Sequence, residues 1–209
     1  MAELMRKEII LALISAGDRP RMAGLDLSGL DLSHLALSYA NLNQSDLIGA
    51  DLSKADLTGA DLSETNLNNG ILQSAVLTGA NLNGTDAKFA NLTKSNLSWA
   101  SLVKANLTSA NFIEANLEHA NLDQAELKDA RLSKCNLSAA NLSQANLTNA
   151  NLINANFNGA VLVRANLTGA DFSGADLSNT NLYGSTILPV QLERVASITG
   201  AILPDGSRR

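Results

Sequence analysis

Two histidines, one cysteine and a file of evenly spaced aspartates are the side chains of this 209-residue sequence best suited to chemistry. His34 and His119 could serve as general bases or metal ligands, but each stands far from the other and beside no Cys or second His. Cys135 has no second cysteine to join it in a zinc set or an intramolecular disulfide. Asp46, Asp51, Asp56 and Asp61 recur every fifth residue. Acid–base catalysis needs carboxylates that converge, whereas this spacing puts each in the same place of a repeated unit. Serines are abundant, yet no His–carboxylate pair is placed to activate one. No glycine-rich link between a strand and a helix offers a phosphate cradle. The expectation is a protein that is not an enzyme, with no catalytic residues, no cofactor and no metal.

The units that hold these residues are pentapeptides, and they run without insertion from Leu25 to Gly184. Every residue numbered 2 or 7 in its decade from Leu27 to Leu182 is Leu, except Phe112, Phe157, Phe172 and Ala87. Two places earlier stands a small residue, Ala in 22 of 32 units, and between them Asn or Asp in 25 of 32, so one local structure must serve throughout. Period five matches neither the helical 3.6 nor the strand period of 2. It fits a coil in which each pentapeptide forms one short side and then turns, pointing one large and one small residue inward. Coils stacked at strand separation, about 4.8 Å, would pair their backbones along the axis. Cys135 falls at the small inward position and reads as a substitute for Ala. Ser or Thr often follows the central residue, where a short hydroxyl can bond within a turn.

Charge and hydropathy narrow the partners. The net charge is −5 and the pI about 4.9, with no run of Lys and Arg, so direct nucleic-acid binding is not expected. No apolar stretch reaches the roughly 20 residues of a membrane span. Arg6 and Lys7 precede the apolar run Ile9–Ile14 in the order of a secretory leader, but Glu3 and Glu8 dilute the basic end.

Units such as Ala50-Asp51-Leu52-Ser53-Lys54 and Ala145-Asn146-Leu147-Thr148-Asn149 resemble the pentapeptide-repeat family. That resemblance implies an all-β solenoid, a right-handed quadrilateral β-helix with four repeats per coil, hence about eight coils over residues 25–184. Asp46, Asp51, Asp56 and Asp61 would then circle one coil as a ring. Residues 1–24 are expected to supply a capping helix, Glu3–Ser15, and a linker. Residues 185–209 are expected to form a C-terminal helical cap from Pro189 through about Ala196, followed by a tail. That tail is similar to endings of cyanobacterial members, which points to a cytoplasmic protein. Leu25, Leu30 and Leu35 replace the small residue in the first coil, as suits a coil facing a helix.

With residues 20 apart as vertical neighbours, Val163 stacks on Tyr183 and Val161 flanks them, marking a contact surface for an unidentified protein partner or for homodimerisation through the C-terminal end. Tyr39 and Trp99 are also outward but weigh less, each without a like residue next to it in its column. Ala87 leaves a gap in the Leu column, a kink or a pocket, that Phe89 could fold over. The resemblance implies a non-catalytic interaction scaffold or regulatory module. Its alternative is the DNA mimicry by which quinolone-resistance members bind DNA gyrase. The repeats hold 15 acids and 8 bases, but seven of those acids crowd between Asp26 and Glu64, too uneven for a phosphate-like rod.

Overall fold

Parallel bridges join residues one coil apart without a break, from Arg21↔Asn41 to Val161↔Asn181, in a computed structural model that describes residues 19–209. The expected helix Glu3–Ser15 lies outside the described residues. Each bridge spans 20 positions, so four pentapeptides make one coil. Leu27, Leu47 and Leu67 stack in one buried column and Leu32, Leu52 and Leu72 in the next. Residues 21–25, 26–30, 31–35 and 36–40 begin the first to fourth faces of the rod, and every face continues at each twentieth residue. Bridging already occurs at Arg21, where buried Met22 takes the place of the central Leu.

A count of backbone donors explains the pentapeptide. In the unit 46–50, the Asp46 N–H donates to the Leu25 carbonyl at 2.9 Å, Leu47 to Asn66 at 2.7 Å and Gly49 to Asn68 at 2.9 Å, all between coils. The Ala50 N–H closes a turn onto the Leu47 carbonyl at 3.0 Å. The remaining donor, the Ile48 N–H, goes to the Asp46 Oδ1 at 3.0 Å. Asn or Asp before the central Leu thus satisfies the one amide that the stacking leaves over, through an Asx turn. Where that residue cannot serve, another coil can: Ser101 precedes Leu102, and the Val103 N–H donates to Asn83 Oδ1 at 2.8 Å.

The turn has a price in backbone geometry. Every residue numbered 4 or 9 in its decade from Gly24 to Gly184 has positive φ, and 23 of these are not glycine. A left-handed non-glycine residue costs roughly 1–2 kcal/mol, which stacking must offset. In return these corner side chains stand on the rod's four edges and carry its surface chemistry.

Inside, Ala and Leu alternate with Phe112, Phe157 and Phe172 fully buried; the last two rings meet at 5.7 Å. Cys135 is buried as an Ala substitute, its Sγ donating to the Phe112 carbonyl at 3.1 Å. Burial pushes its thiol up to about 12, so it is no reactive nucleophile. Ser45, Thr65, Ser95 and Thr180 occupy the same inward position and bond turn carbonyls at 2.6–2.7 Å. At Ala87 the register holds, Asn66↔Asp86↔Asn106, so the gap makes no break in the stack. Phe89 does not fold over it: φ is +59° and the ring is 61% exposed, because the turn geometry aims every such residue outward.

The C-terminal end differs from a helical cap running to Ala196. Helix α1 is a single turn, Pro189–Leu192. It stops because the backbone beyond it is claimed by the coil below: Gly174 N–H donates to the Arg194 carbonyl and Ala196 N–H to Ala175, both at 2.8 Å. The chain then resumes coiling one residue out of register, Asp176↔Ser197 and Asn181↔Ile202. It finally doubles back in an antiparallel bridge, Ile202↔Arg208. Gln191 completes the seal, donating through Nε2 to the Leu167 and Ala170 carbonyls at 2.9 and 2.7 Å. None of the helices among the described residues is long and apolar enough to cross a membrane.

Candidate interaction surfaces

The ring of carboxylates does structural work. Asp46, Asp51, Asp56 and Asp61 each accept the N–H of the residue two places on, at 2.8–3.1 Å. Asp56 also accepts the Thr58 and Ser38 hydroxyls at 2.6 and 2.7 Å. The Thr58 hydroxyl, then the Ser38 hydroxyl and the Thr58 N–H, hold its carboxyl below the usual carboxylate range. Among the described residues there is no group of three or more metal-ligating side chains. His34 and His119 stand at corners with φ of 59° and 57°, on different edges. Lys94 and Glu114 pair one coil apart at 3.6 Å, both well exposed, a contact worth little in water.

A cleft of about 260 Å³ lies between α1 and the last full coil, lined in part by Asp171, Phe172, Gln191 and Arg194. The Ser173 hydroxyl and N–H chiefly lower the Asp171 carboxyl, with Arg194 adding to the effect. With Gln191 bonded to turn carbonyls, this cleft is the seam where the cap meets the stack.

Val161, Val163 and Tyr183 do come together on the first face. Val161 bridges Asn181, and the Tyr183 carbonyl accepts the Arg164 N–H directly beyond Val163. Both valines are half-buried, while Tyr183 is 52% exposed. Part of its ring is taken by the returning tail: a methyl on Gly206 would sit 3.6 Å from it.

A second group of exposed rings shares one outward column. Tyr39 and Trp99 belong to the same corner of the fourth face, three coils apart, and His119 continues that column one coil beyond Trp99. Trp99 and His119 stack with ring centroids 4.0 Å apart and planes 15° from parallel. Tyr39 leans over Gly59, and the Arg19 guanidinium lies 5.8 Å from its ring centre. The signal was available in the numbers: 39, 99 and 119 differ by multiples of 20.

Known proteins place this architecture. The model of pentapeptide repeats matches residues 26–64, 60–98, 71–108, 110–149 and 145–186. The chain belongs to the pentapeptide-repeat family. A solved pentapeptide-repeat protein, HetL, from the cyanobacterium Nostoc sp. strain PCC 7120, is 32% identical, with 96% of this chain and 98% of that one covered and a TM-score of 0.64. HetL is described as involved in regulating heterocyst differentiation. QnrB1, a plasmid-mediated fluoroquinolone resistance protein solved after trypsin treatment, is 20% identical over 88% of this chain and 92% of its own, with a TM-score of 0.78. That likeness is one of fold. No curated protein sequence gives a match. Membership in the pentapeptide-repeat family carries the right-handed hand of the quadrilateral β-helix, and the bridges of this chain supply its four-sidedness.

Proposed function

We propose that this pentapeptide-repeat protein is a non-catalytic, cytoplasmic scaffold that regulates by holding a protein partner against its faces. The observation that carries the reading is the end-to-end likeness to HetL, a regulatory protein, at 32% identity over nearly all of both chains. Supporting it, the unbroken 20-residue register makes a stiff rod, and stiff surfaces bind with little ordering cost. Tyr39, Trp99 and Tyr183 are each more than half exposed on that rod, and large aromatics at a surface are the usual anchors of protein contacts.

DNA mimicry is the second reading, favoured by the acidic first coils and the fold shared with QnrB1. Against it, Asp46, Asp51, Asp56 and Asp61 each have one carboxylate oxygen bonded onto their own turn, and from Asp86 to Lys134 six acids are matched by six bases. Affinity capture from cyanobacterial lysate, with cross-linking read by mass spectrometry, tests the choice. A protein partner cross-linked to the corners of the rod supports the scaffold. Inhibition of gyrase supercoiling, relieved by changing those four aspartates to asparagine, overturns it in favour of the mimic.

A further inference from the structure

The fourth face differs from the other three in charge. Its eight pentapeptides, from 36–40 to 176–180, carry Asp56, Glu118 and Asp176 and not one Lys or Arg. All eight basic residues of the repeats stand on the other faces. The same face ends at the corner that holds Tyr39, Trp99 and His119.

That corner leaves one rung unfilled between its aromatic residues, at Gly79. His119 covers one face of the Trp99 ring, so the other is turned towards the coil of Gly79. A methyl on Gly79 would meet nothing within 4 Å, which leaves that rung open. The far wall is Tyr39, whose ring lies over Gly59, with ring carbons 2.6 and 2.7 Å from where a Cβ on that glycine would be. Tyr39 and Trp99 are rooted three rungs apart, about 14 Å, and the lean of Tyr39 shortens the opening between them. An open rung bounded on one side by the uncovered indole and on the other by a second aromatic ring suits a planar cation. The chain itself supplies the precedent, since the Arg19 guanidinium already sits over the Tyr39 ring at 5.8 Å.

We infer that the Tyr39–Trp99–His119 corner is a docking site for an arginine-bearing segment of a protein partner, whose guanidinium enters over Gly79 and stacks on Trp99. Arginine rather than lysine is called for, because a planar guanidinium stacks flat on an indole, and the face beside it carries three acids and no competing Lys or Arg. This rests on the scaffold reading and names the chemistry of its partner.

Trp99 is the only tryptophan of the chain, so its fluorescence reports on this corner alone. The experiment titrates the full chain with an acetylated, amidated Gly-Arg-Gly-Arg-Gly peptide, and with versions carrying lysine or citrulline. The arginine peptide should change Trp99 emission saturably, with the citrulline peptide weaker by about ten-fold or more and lysine between them. Gly79→Gln should abolish the response. Glutamine occupies the same left-handed corner position at Gln44, Gln124 and Gln144, so this variant fills the rung and keeps the turn, to be checked by its melting curve. Equal response to the citrulline peptide, or a response unchanged in Gly79→Gln, overturns the proposal. So does concentration-dependent self-association that Gly79→Gln removes, since the occupant would then be a second copy of the chain. A captured partner that ignores Gly79→Gln sinks this site but spares the scaffold, whereas a mimic shows itself by gyrase inhibition instead.

Discussion

The indole of Trp99 and the imidazole of His119 lie face to face, 4.0 Å between centroids, because a 20-residue coil brings their corners into vertical register. Both belong to turns with positive φ, 62° and 57°, which point them away from the core. His119→Ala should uncover the second face of Trp99 and lower stability modestly, by up to about 1 kcal/mol for an exposed stacked pair. Trp99 emission should shift to longer wavelength in the folded protein. An unshifted spectrum would show that the stack does not persist in solution.

Ala87 is the one small residue in the central column of its face, between Leu67 and Leu107. Phe89 is turned out to solvent and fills none of the space that a leucine would occupy. The bridges above and below fix the coil spacing, which limits how far neighbours can collapse. Ala87→Leu should therefore raise stability by about 1–2 kcal/mol, below the 2–5 kcal/mol span of the reverse change in closed cores. Urea midpoints at unchanged m-value measure this. A fall in midpoint would mean that the site is already packed.

Asn136 sits in a ladder on the fourth face. Its Oδ1 accepts the Ser138 N–H at 3.2 Å and Asn156 Nδ2 at 3.1 Å, while its own Nδ2 donates to Asn116 Oδ1 at 3.0 Å. Asn136→Ala strands the turn amide and should cost about 1–3 kcal/mol. Asn136→Asp keeps the acceptor for the turn and gives up the donor, so it should cost less. Equal losses in the two variants would assign the stability to the ladder rather than to the Asx turn.

Hydrogen bonds from Thr58, Ser38 and Ser173 hold Asp56 and Asp171 below the ordinary aspartate value of 3.8. A carboxyl whose folded value is depressed contributes stability that is fully present above the unfolded value and is lost as pH falls through the folded one. The urea midpoint should thus hold steady from pH 7 to about 5 and fall below pH 4. Asp56→Asn should flatten part of that acid slope while leaving the neutral-pH turn nearly intact. A slope unchanged in that variant would remove Asp56 from the acid response.

Most of the rod was legible in its residues because one backbone problem recurs in each unit and has one solution. The Asn or Asp before each Leu announces the unsatisfied amide of the turn, and Leu with Ala announces the inward pair. The number of sides was legible only through the family resemblance, since period five is compatible with any polygon. Met22 hides the first turn of the stack, because it stands where the repeat elsewhere has Leu. At the other end, a one-residue shift in register, Asp176↔Ser197, concealed a ninth partial coil inside what reads as a helix. The corner of Tyr39, Trp99 and His119 is harder to read because its stacked neighbours are unlike residues, and an indole stacks on an imidazole as well as on another indole.

The doubled-back tail protects an edge. Ile202, the last parallel rung of the first face, is bridged by Arg208, with the Gly200 N–H donating to the Arg209 carbonyl at 2.6 Å and the Arg209 N–H to Ala201 at 3.0 Å. Without these bonds the coil would end in a row of unpaired amides and carbonyls, a template for pairing with another chain. Gly206 also packs near Tyr183, so losing the tail would bare more of that ring. A chain ending at Leu203 should stay folded, because the Leu and Ala columns of the eight coils below do not depend on the tail. It should, however, associate with rising concentration in sedimentation velocity, and Tyr183→Asp should reverse that association by placing a charge beside the exposed end. A truncated chain that remains monomeric would show that α1 and Gln191 suffice to close the rod.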